Sequence, residues 1–567
     1  MKKIISLILA LAMIFSLCAI NLTASAYDGP SVSVYIYNEQ TSKYEAYGWD
    51  TNHPNSYSTV VPDGVTVTLS GSVANVTLEN TKINGISISG CDTTNLTFKG
   101  TNNIATTYYE DAPNEYQTGE WRNGVKISGD ANITFADGSV TNIGACDDRS
   151  DYKAYQIYSS AIGSTGNMTI VGSEGVKVNL IAANNGLCAY HYDYDNSEYV
   201  GKIDLSNFKG TMNIEDYGQV AYCSIRAGKD VIIDGGTYNL DSYCHYNIHS
   251  VDGNIEISNS TVTAKSGLVA IWSNKKVALS NSTVDLTATQ FTIATNNLVI
   301  DDSDCNAKGG IFLGSNGDGR ATLNMNSGTL VVTANEGYPA ILGTETPADV
   351  NFNGGLTKLT ASESAPTIAL IVNGDNTNPS TINYSKVSLY EETDGQKVCT
   401  GEHEGVSIVA LGYDGFKYGT RITNGAKVST FAKPAYTAGE EQEVETGKDA
   451  TFKINLTKEY LTGVYVDGKL VDSANYTAVE GSTILTLKAS FLKTLEAGEH
   501  TLSVRYNVLG TDMKADTTFT ITDTTPLDDG EDPAEDPATG DATVVAPFVV
   551  MAICSAAGAV VLKKKEF

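Results

Sequence analysis

Tyrosine, tryptophan and aspartate crowd into three stretches of this 567-residue chain. The first runs from Tyr108-Tyr109-Glu110-Asp111 to Glu120-Trp121-Arg122, the second holds Asp147-Asp148-Arg149 and Asp151-Tyr152, and the third reads Tyr190-His191-Tyr192-Asp193-Tyr194-Asp195. Two chemistries suit that composition. Sugars offer apolar C–H faces that lie on aromatic rings and hydroxyls that pair with carboxylates, so Tyr108, Tyr109, Trp121, Tyr190, Tyr192 and Tyr194 are candidate carbohydrate-binding residues. Calcium takes about six to eight oxygen ligands, and Asp147, Asp148, Asp151, Asp193 and Asp195 are its candidate ligands, although the chain has no EF-hand and no glycine-rich nonapeptide repeat. The competing reading is structural: the loops fold over one another and bury their rings as a small satellite core.

Catalysis finds less support. A glycoside hydrolase needs carboxylates converging within about 5 to 9.5 Å, and a lyase needs calcium beside a basic Arg or Lys. Arg122, Arg149 and Arg226 lie near the acidic stretches, and nothing marks one of them as a base. No Ser/His/Asp arrangement, P-loop or zincin motif occurs. His191 and His245 stand beside tyrosines and read as loop hydrogen-bonders. With 37 basic against 66 acidic side chains, a net charge of −29, the molecule repels phosphate backbones and anionic headgroups, which excludes nucleic acid as a partner.

The aromatic stretches interrupt a repeat, and that repeat must position them. Val231-Ile232-Ile233-Asp234-Gly235-Gly236-Thr237, Ile255-Glu256-Ile257-Ser258-Asn259-Ser260-Thr261, Val277-Ala278-Leu279-Ser280-Asn281-Ser282-Thr283 and Leu323-Asn324-Met325-Asn326-Ser327-Gly328-Thr329 are copies of one unit. Apolar residues alternate with period two and no helical spacing occurs, so the units are strands joined by polar corners. Short strands returning roughly every 22 residues predict an all-β fold, a right-handed parallel β-helix over 65–432 with about 15 coils. Propeller blades would need about 40 to 45 residues each. Insertions at equivalent corners of a solenoid fall on one face, which would gather the aromatic loops of 105–246 into one surface. Residues 27–64 break the repeat and would cap its first edge.

A second module, 433–522, alternates over Ala450–Ile454, Leu461–Val466, Thr483–Leu487, His500–Tyr506 and Thr517–Ile521, the pattern of a small β-sandwich. Residues 523–541 are acidic and carry prolines, an extended linker by composition. Cys91, Cys146, Cys188, Cys223, Cys244, Cys305 and Cys399 are scattered without metal-ligand spacing, and their odd number rules out a complete disulfide framework. Most read as small buried apolar side chains.

The two ends speak of export. Lys2-Lys3, the apolar run Ile4–Ile20 and Ala24-Ser25-Ala26 have the layout of a signal peptide over 1–26, cleaved between Ala26 and Tyr27. Asp536-Pro537-Ala538-Thr539-Gly540 precedes an apolar stretch and Lys563-Lys564-Lys565, so that 542–567 reads as a membrane-spanning segment with a basic tail. That order resembles the LPXTG-type sorting signal of Gram-positive surface proteins, on Pro537, Thr539 and Gly540; Asp536 departs from the usual leucine. The resemblance implies cleavage by a sortase between Thr539 and Gly540, attachment to peptidoglycan and a place on the cell surface. Membrane contact would be confined to the C-terminal segment.

Val76-Thr77-Leu78-Glu79-Asn80-Thr81-Lys82-Ile83, Leu96-Thr97-Phe98-Lys99-Gly100 and Ala161-Ile162-Gly163-Ser164 resemble the carbohydrate-binding β-helix proteins of Gram-positive surfaces. Val464-Tyr465-Val466-Asp467-Gly468-Lys469 and Ala497-Gly498-Glu499-His500 are similar to X2-like, immunoglobulin-like modules. Together these imply a non-catalytic polysaccharide binder. The alternatives are a polysaccharide lyase or hydrolase on the same scaffold, and a stalk or adhesin that recognises protein.

Overall fold

The computed structural model describes residues 29–38, 43–52, 61–104, 124–144, 160–182, 185–216, 223–243, 245–314, 319–343, 346–361, 365, 367–372, 380–384, 387–393, 396–399, 417–419, 427–479, 483–508 and 511–522. Strands dominate them, as the period-two alternation requires.

Parallel pairing organises residues 73–383, and each coil visits three ladders in turn. The first ladder begins with Val73–Glu79 on Thr93–Lys99 and ends with Ala348–Phe352 on Thr381–Asn383. The second runs from Lys82–Ile83 to Leu356–Thr360, the third from Gly85–Ser89 to Ile368–Val372. Thr237, Thr261 and Thr283 stand directly opposite one another, so the repeat in the sequence is the register of the ladder.

Identical residues stack because parallel in-register strands place equivalent positions about 4.8 Å apart. Inside, Ile225, Ile248, Ile271, Ile293, Ile311 and Ile341 form one unbroken column of fully buried side chains. Each contributes roughly 1.5 to 3 kcal/mol by leaving water. Outside, Asn142, Asn179, Asn213 and Asn239 each donate a side-chain amide hydrogen to the asparagine one coil earlier, at 2.7 to 2.9 Å, beginning at Asn103. At the corners Asn259 and Asn281 take positive φ of 51° and 46°, a conformation asparagine tolerates better than most residues. The Asn281 amide donates to Asn259 at 2.7 Å.

The first ladder holds twelve strands among the described residues, about 50 Å of stack at ~4.8 Å per pairing. After residue 383 the described strands pair differently. Lys427–Ala432 runs antiparallel to Leu356–Thr360 and Lys417–Gly419 antiparallel to Ile368–Val372. Among the described residues no parallel pairing extends these ladders beyond residue 383. At the other end Ser31–Asn38 and Lys43–Asp50 form an antiparallel pair, and residues from Ser31 to Tyr35 cover the open edge of Gly85–Ser89.

Residues 436–522 form two sheets. One contains Tyr436–Ala438, Ala450–Ile454, Thr483–Leu487 and Tyr476–Val479; the other contains Gln442–Glu445, Thr511–Thr522, Gly498–Val508, Leu461–Val466 and Lys469–Leu470. Phe452, Val464, Leu485, Leu502 and Phe519 pack between them, and the same core takes in Leu356 from the end of the second ladder and Phe431 from the antiparallel strand Lys427–Ala432. The strand Gln442–Glu445 lies parallel to the end of the last strand, Phe519 to Thr522.

Cys91, Cys188, Cys223 and Cys305 are buried free thiols. Among the described residues no helix is long and apolar enough to cross a membrane. The segments expected to be processed or anchored, with Ala26, Tyr27, Pro537, Thr539, Gly540 and 542–567, lie outside the described residues.

Candidate functional site

The third ladder differs from the other two. Its strands Asn185–Ala189, Cys223–Ala227 and Tyr246–Ser250 are buried along their whole length, so both faces are covered. Successive side chains of a strand point to opposite faces. Opposite the isoleucine column therefore stand Cys188, Arg226, His249, Trp272, Ala294, Phe312 and Leu342, one per coil. Beside them Cys223, Tyr246, Val269 and Phe291 form a second column. Much of this outer face is a hydrophobic cluster separate from the main core.

Its first part is a closed polar nest. The Arg226 guanidinium lies 4.0 Å from the centre of the Tyr190 ring, whose other contact is a stack on Tyr199 at 5.4 Å. Burial pushes the Tyr190 hydroxyl up in pKa against the pull of Arg226. Cys223 Sγ is 3.8 Å from His249 Nδ1. Burial, seconded by Arg226, pushes His249 down to about 3, and burial pushes the Cys223 thiol up. Both groups are thus neutral at physiological pH, the reverse of an activated thiolate–imidazolium pair. Asp216 sits where the second ladder turns into the third, 1% exposed, and accepts hydrogen bonds from Ser224 Oγ at 2.9 Å and Ser242 Oγ at 2.8 Å. Burial raises it to about 8. None of these groups is open to a polymeric substrate.

Farther along, the face opens. Tyr246 meets Trp272 edge-on at 5.0 Å, and Phe291 supports Phe312 at 5.3 Å and Tyr338 at 5.6 Å. Trp272, Phe312, Tyr338 and Leu342 are half-buried. The Trp272 indole N–H donates to Asn274 Oδ1 at 3.0 Å, which fixes the plane of the ring.

The third aromatic stretch folds as a hairpin, His191–Asp193 against Glu198–Val200. Tyr192 packs edge-on against both Tyr194 and Tyr199 at 5.0 Å. Tyr190, Tyr192 and Tyr199 therefore make a satellite cluster rather than a flat platform, and Tyr194, 73% exposed, is left at the tip. A salt-bridge chain, Glu198–Lys229–Asp252–Lys275, ties the hairpin to the coils at 2.9 to 3.0 Å. Asp193 accepts from the Asn196 side chain and from the backbone N–H groups of Asp195 and Asn196, which hold its carboxyl below the usual range. That carboxylate is spent on its own turn. Among the described residues no three His, Cys, Asp or Glu side chains gather as a metal site. Tyr108, Tyr109, Trp121, Asp147, Asp148 and Asp151 lie outside the described residues.

No family model matches the chain. No curated protein matches it either. Among solved structures, the titin Ig tandem domains A164–A165 align with 24% of this chain and 83% of their own length at 15% identity, with a TM-score of 0.13. So slight a likeness carries no argument.

What remains is the chemistry of the face itself. Trp272, Phe291, Phe312 and Tyr338 lie outside the insertions, and so outside the stretches that the sequence marks as candidates. The signal was present: Leu268-Val269-Ala270-Ile271-Trp272 and Ile311-Phe312-Leu313 are continuous apolar runs where one-sided strands alternate, and such runs mark strands covered on both faces. A strip of fixed, half-exposed rings can take an apolar, flat ligand surface.

Proposed function

We propose that this is an exported, wall-anchored protein whose three ladders are the coils of a right-handed parallel β-helix, followed by an immunoglobulin-like module, and that it binds polysaccharide without catalysis. The observation that carries the reading is the pair of half-buried rings, Trp272 and Phe312, on the outer face of the third ladder, with Tyr338 beside them. Rings held by packing stack on sugar C–H faces at little cost in side-chain entropy. The sorting-signal resemblance at Pro537, Thr539 and Gly540 supports the surface location, and the composition of 523–541 suits a linker that crosses the wall. Arg226, one of the three arginines near the acidic stretches, and Asp216 are buried and engaged, which favours a binder; Arg122 and Arg149 lie outside the described residues. Calcium keeps its candidates in Asp147, Asp148, Asp151, Asp193 and Asp195.

A glycan array of the intact protein tests this, with and without a calcium chelator, beside Trp272→Ala and the hairpin variant Tyr192→Ala. Polysaccharide binding that is lost with Trp272 and kept with Tyr192 supports the reading. An intact protein that retains no polysaccharide rejects it.

A further inference from the structure

We infer that the polysaccharide is a neutral, extended chain lying parallel to the stack of coils, its ring faces on Trp272 and Phe312; this rests on the binding function proposed above. The direction follows from register. Trp272, Ala294, Phe312 and Leu342 pair one to the next through the third ladder, so the apolar strip runs along the stack and not across it. Its three steps span about 14 Å at ~4.8 Å each, the reach of a short oligosaccharide. Ala294 is small and lies between the two large rings, which places Trp272 and Phe312 about 10 Å apart, two pairings of ~4.8 Å. A straight chain whose rings recur with the same face up meets that spacing; a tightly coiled one rises off the strip after its first contact.

The rings are preorganised. Asn274 holds the indole of Trp272, and Phe291, 7% exposed, lies under Phe312 and Tyr338 as a buried base. Fixed rings lose little freedom on binding, so stacking energy goes into affinity.

Charge decides the class. The strip residues Leu268, Trp272, Phe312, Tyr338 and Leu342 carry none. The nearest lysine in sequence to Trp272 with a resolved partner, Lys275, is already paired with Asp252 at 3.0 Å. The whole molecule stands at −29. Among the described residues no cationic row lines the strip, so a polyuronate would approach like charge, whereas a neutral glycan meets no such barrier.

Affinity electrophoresis of the intact protein separates the possibilities, with hydroxyethylcellulose and neutral xylan in one set of gels and polygalacturonate in another. Retardation by a neutral polymer and none by polygalacturonate is expected. Trp272→Ala with Phe312→Ala should weaken retardation about tenfold or more, Trp272→Phe should keep most of it, and melting curves should show the fold intact. A double variant that fails to melt cooperatively is replaced by the two single variants, read in the same way. Stronger retardation by polygalacturonate than by the neutral polymers overturns the inference while leaving polysaccharide binding standing. Unchanged retardation of the folded ring variants overturns it too. If no polymer retards the protein, the proposed function fails, and this inference with it.

Discussion

Replacing Asp216 by asparagine should stabilise the protein, and by an amount that grows with pH. The carboxyl is buried between Ser224 and Ser242, with Asp241 adding repulsion, and burial lifts its pKa from 3.8 to about 8. In the unfolded chain it loses its proton near pH 4; in the folded chain it keeps it until about pH 8. Between those values the folded state binds one proton more, so its stability falls by about 1.4 kcal/mol per pH unit on this account. The group's contribution is complete below pH 4 and lost as pH rises through 8, on the order of 5 kcal/mol across the window. Asparagine has nearly the same shape, its amide oxygen can accept from one serine while its NH2 donates to the other hydroxyl, and it has no proton to lose. Urea denaturation from pH 4.5 to 8.5 should therefore give a gap between variant and parent that is small at the acid end and widens steadily toward the alkaline end. Every other titrating group cancels in that difference. Parallel curves would mean that Asp216 ionises freely in the folded protein and that the burial argument is wrong.

Three further outcomes follow from other parts of the molecule. Ile257→Asp places an unpaired carboxylate on the inward face of the first ladder, between Ile233 and Leu279, where the side chain is 1% exposed, and should cost several kcal/mol; an unchanged melting transition would show the inward face to be misassigned. At His500, burial opposes the charge, but Asp467 at 2.7 Å from Nδ1 and the Glu496 carbonyl outweigh it and raise the pKa. Stability from that pair should be full below the unfolded value of 6.5 and fade as pH rises through the folded one, so Asp467→Asn should destabilise at pH 5.5 and much less at pH 8.5, and equal losses at both would refute the coupling. Thr539→Ala should release the protein from peptidoglycan, as wall fractionation would detect; recovery of the variant still bound to wall fragments would defeat the sorting-signal reading.

Strand character, the location of the repeat and its register were legible because each leaves a mark in one dimension. Thr237, Thr261 and Thr283 recur at nearly constant spacing, and constant spacing is what stacked coils demand. The strands of the second module could be placed for the same reason: Ala450–Ile454 and Thr483–Leu487 alternate cleanly. The number of coils was not legible, since insertion length and coil length add together in sequence. Nor was the apolar face. Cys223, Tyr246, Val269 and Phe291 come from four successive coils, and a column of that kind has no local pattern; it exists only once the ladders are aligned. The Tyr190–Tyr194 stretch showed the converse. Its composition suits a sugar platform and a packed hairpin equally, and only the hairpin's pairing, which turns Tyr192 onto Tyr199, tells them apart.

The parallel pairing of Gln442–Glu445 with the final residues of the chain's last described strand has a mechanical consequence. In a chain held beyond Thr522 as the proposed wall anchorage requires, tension crosses this module from residue 433 to residue 522. Because the two strands run the same way, such a pull drags them past each other lengthwise, and the hydrogen bonds between them are loaded together. An antiparallel hairpin pulled at its open end parts one bond at a time. This module is therefore built to hold under sustained pull, and the ladders above it can stay folded while the end of the chain bears a load.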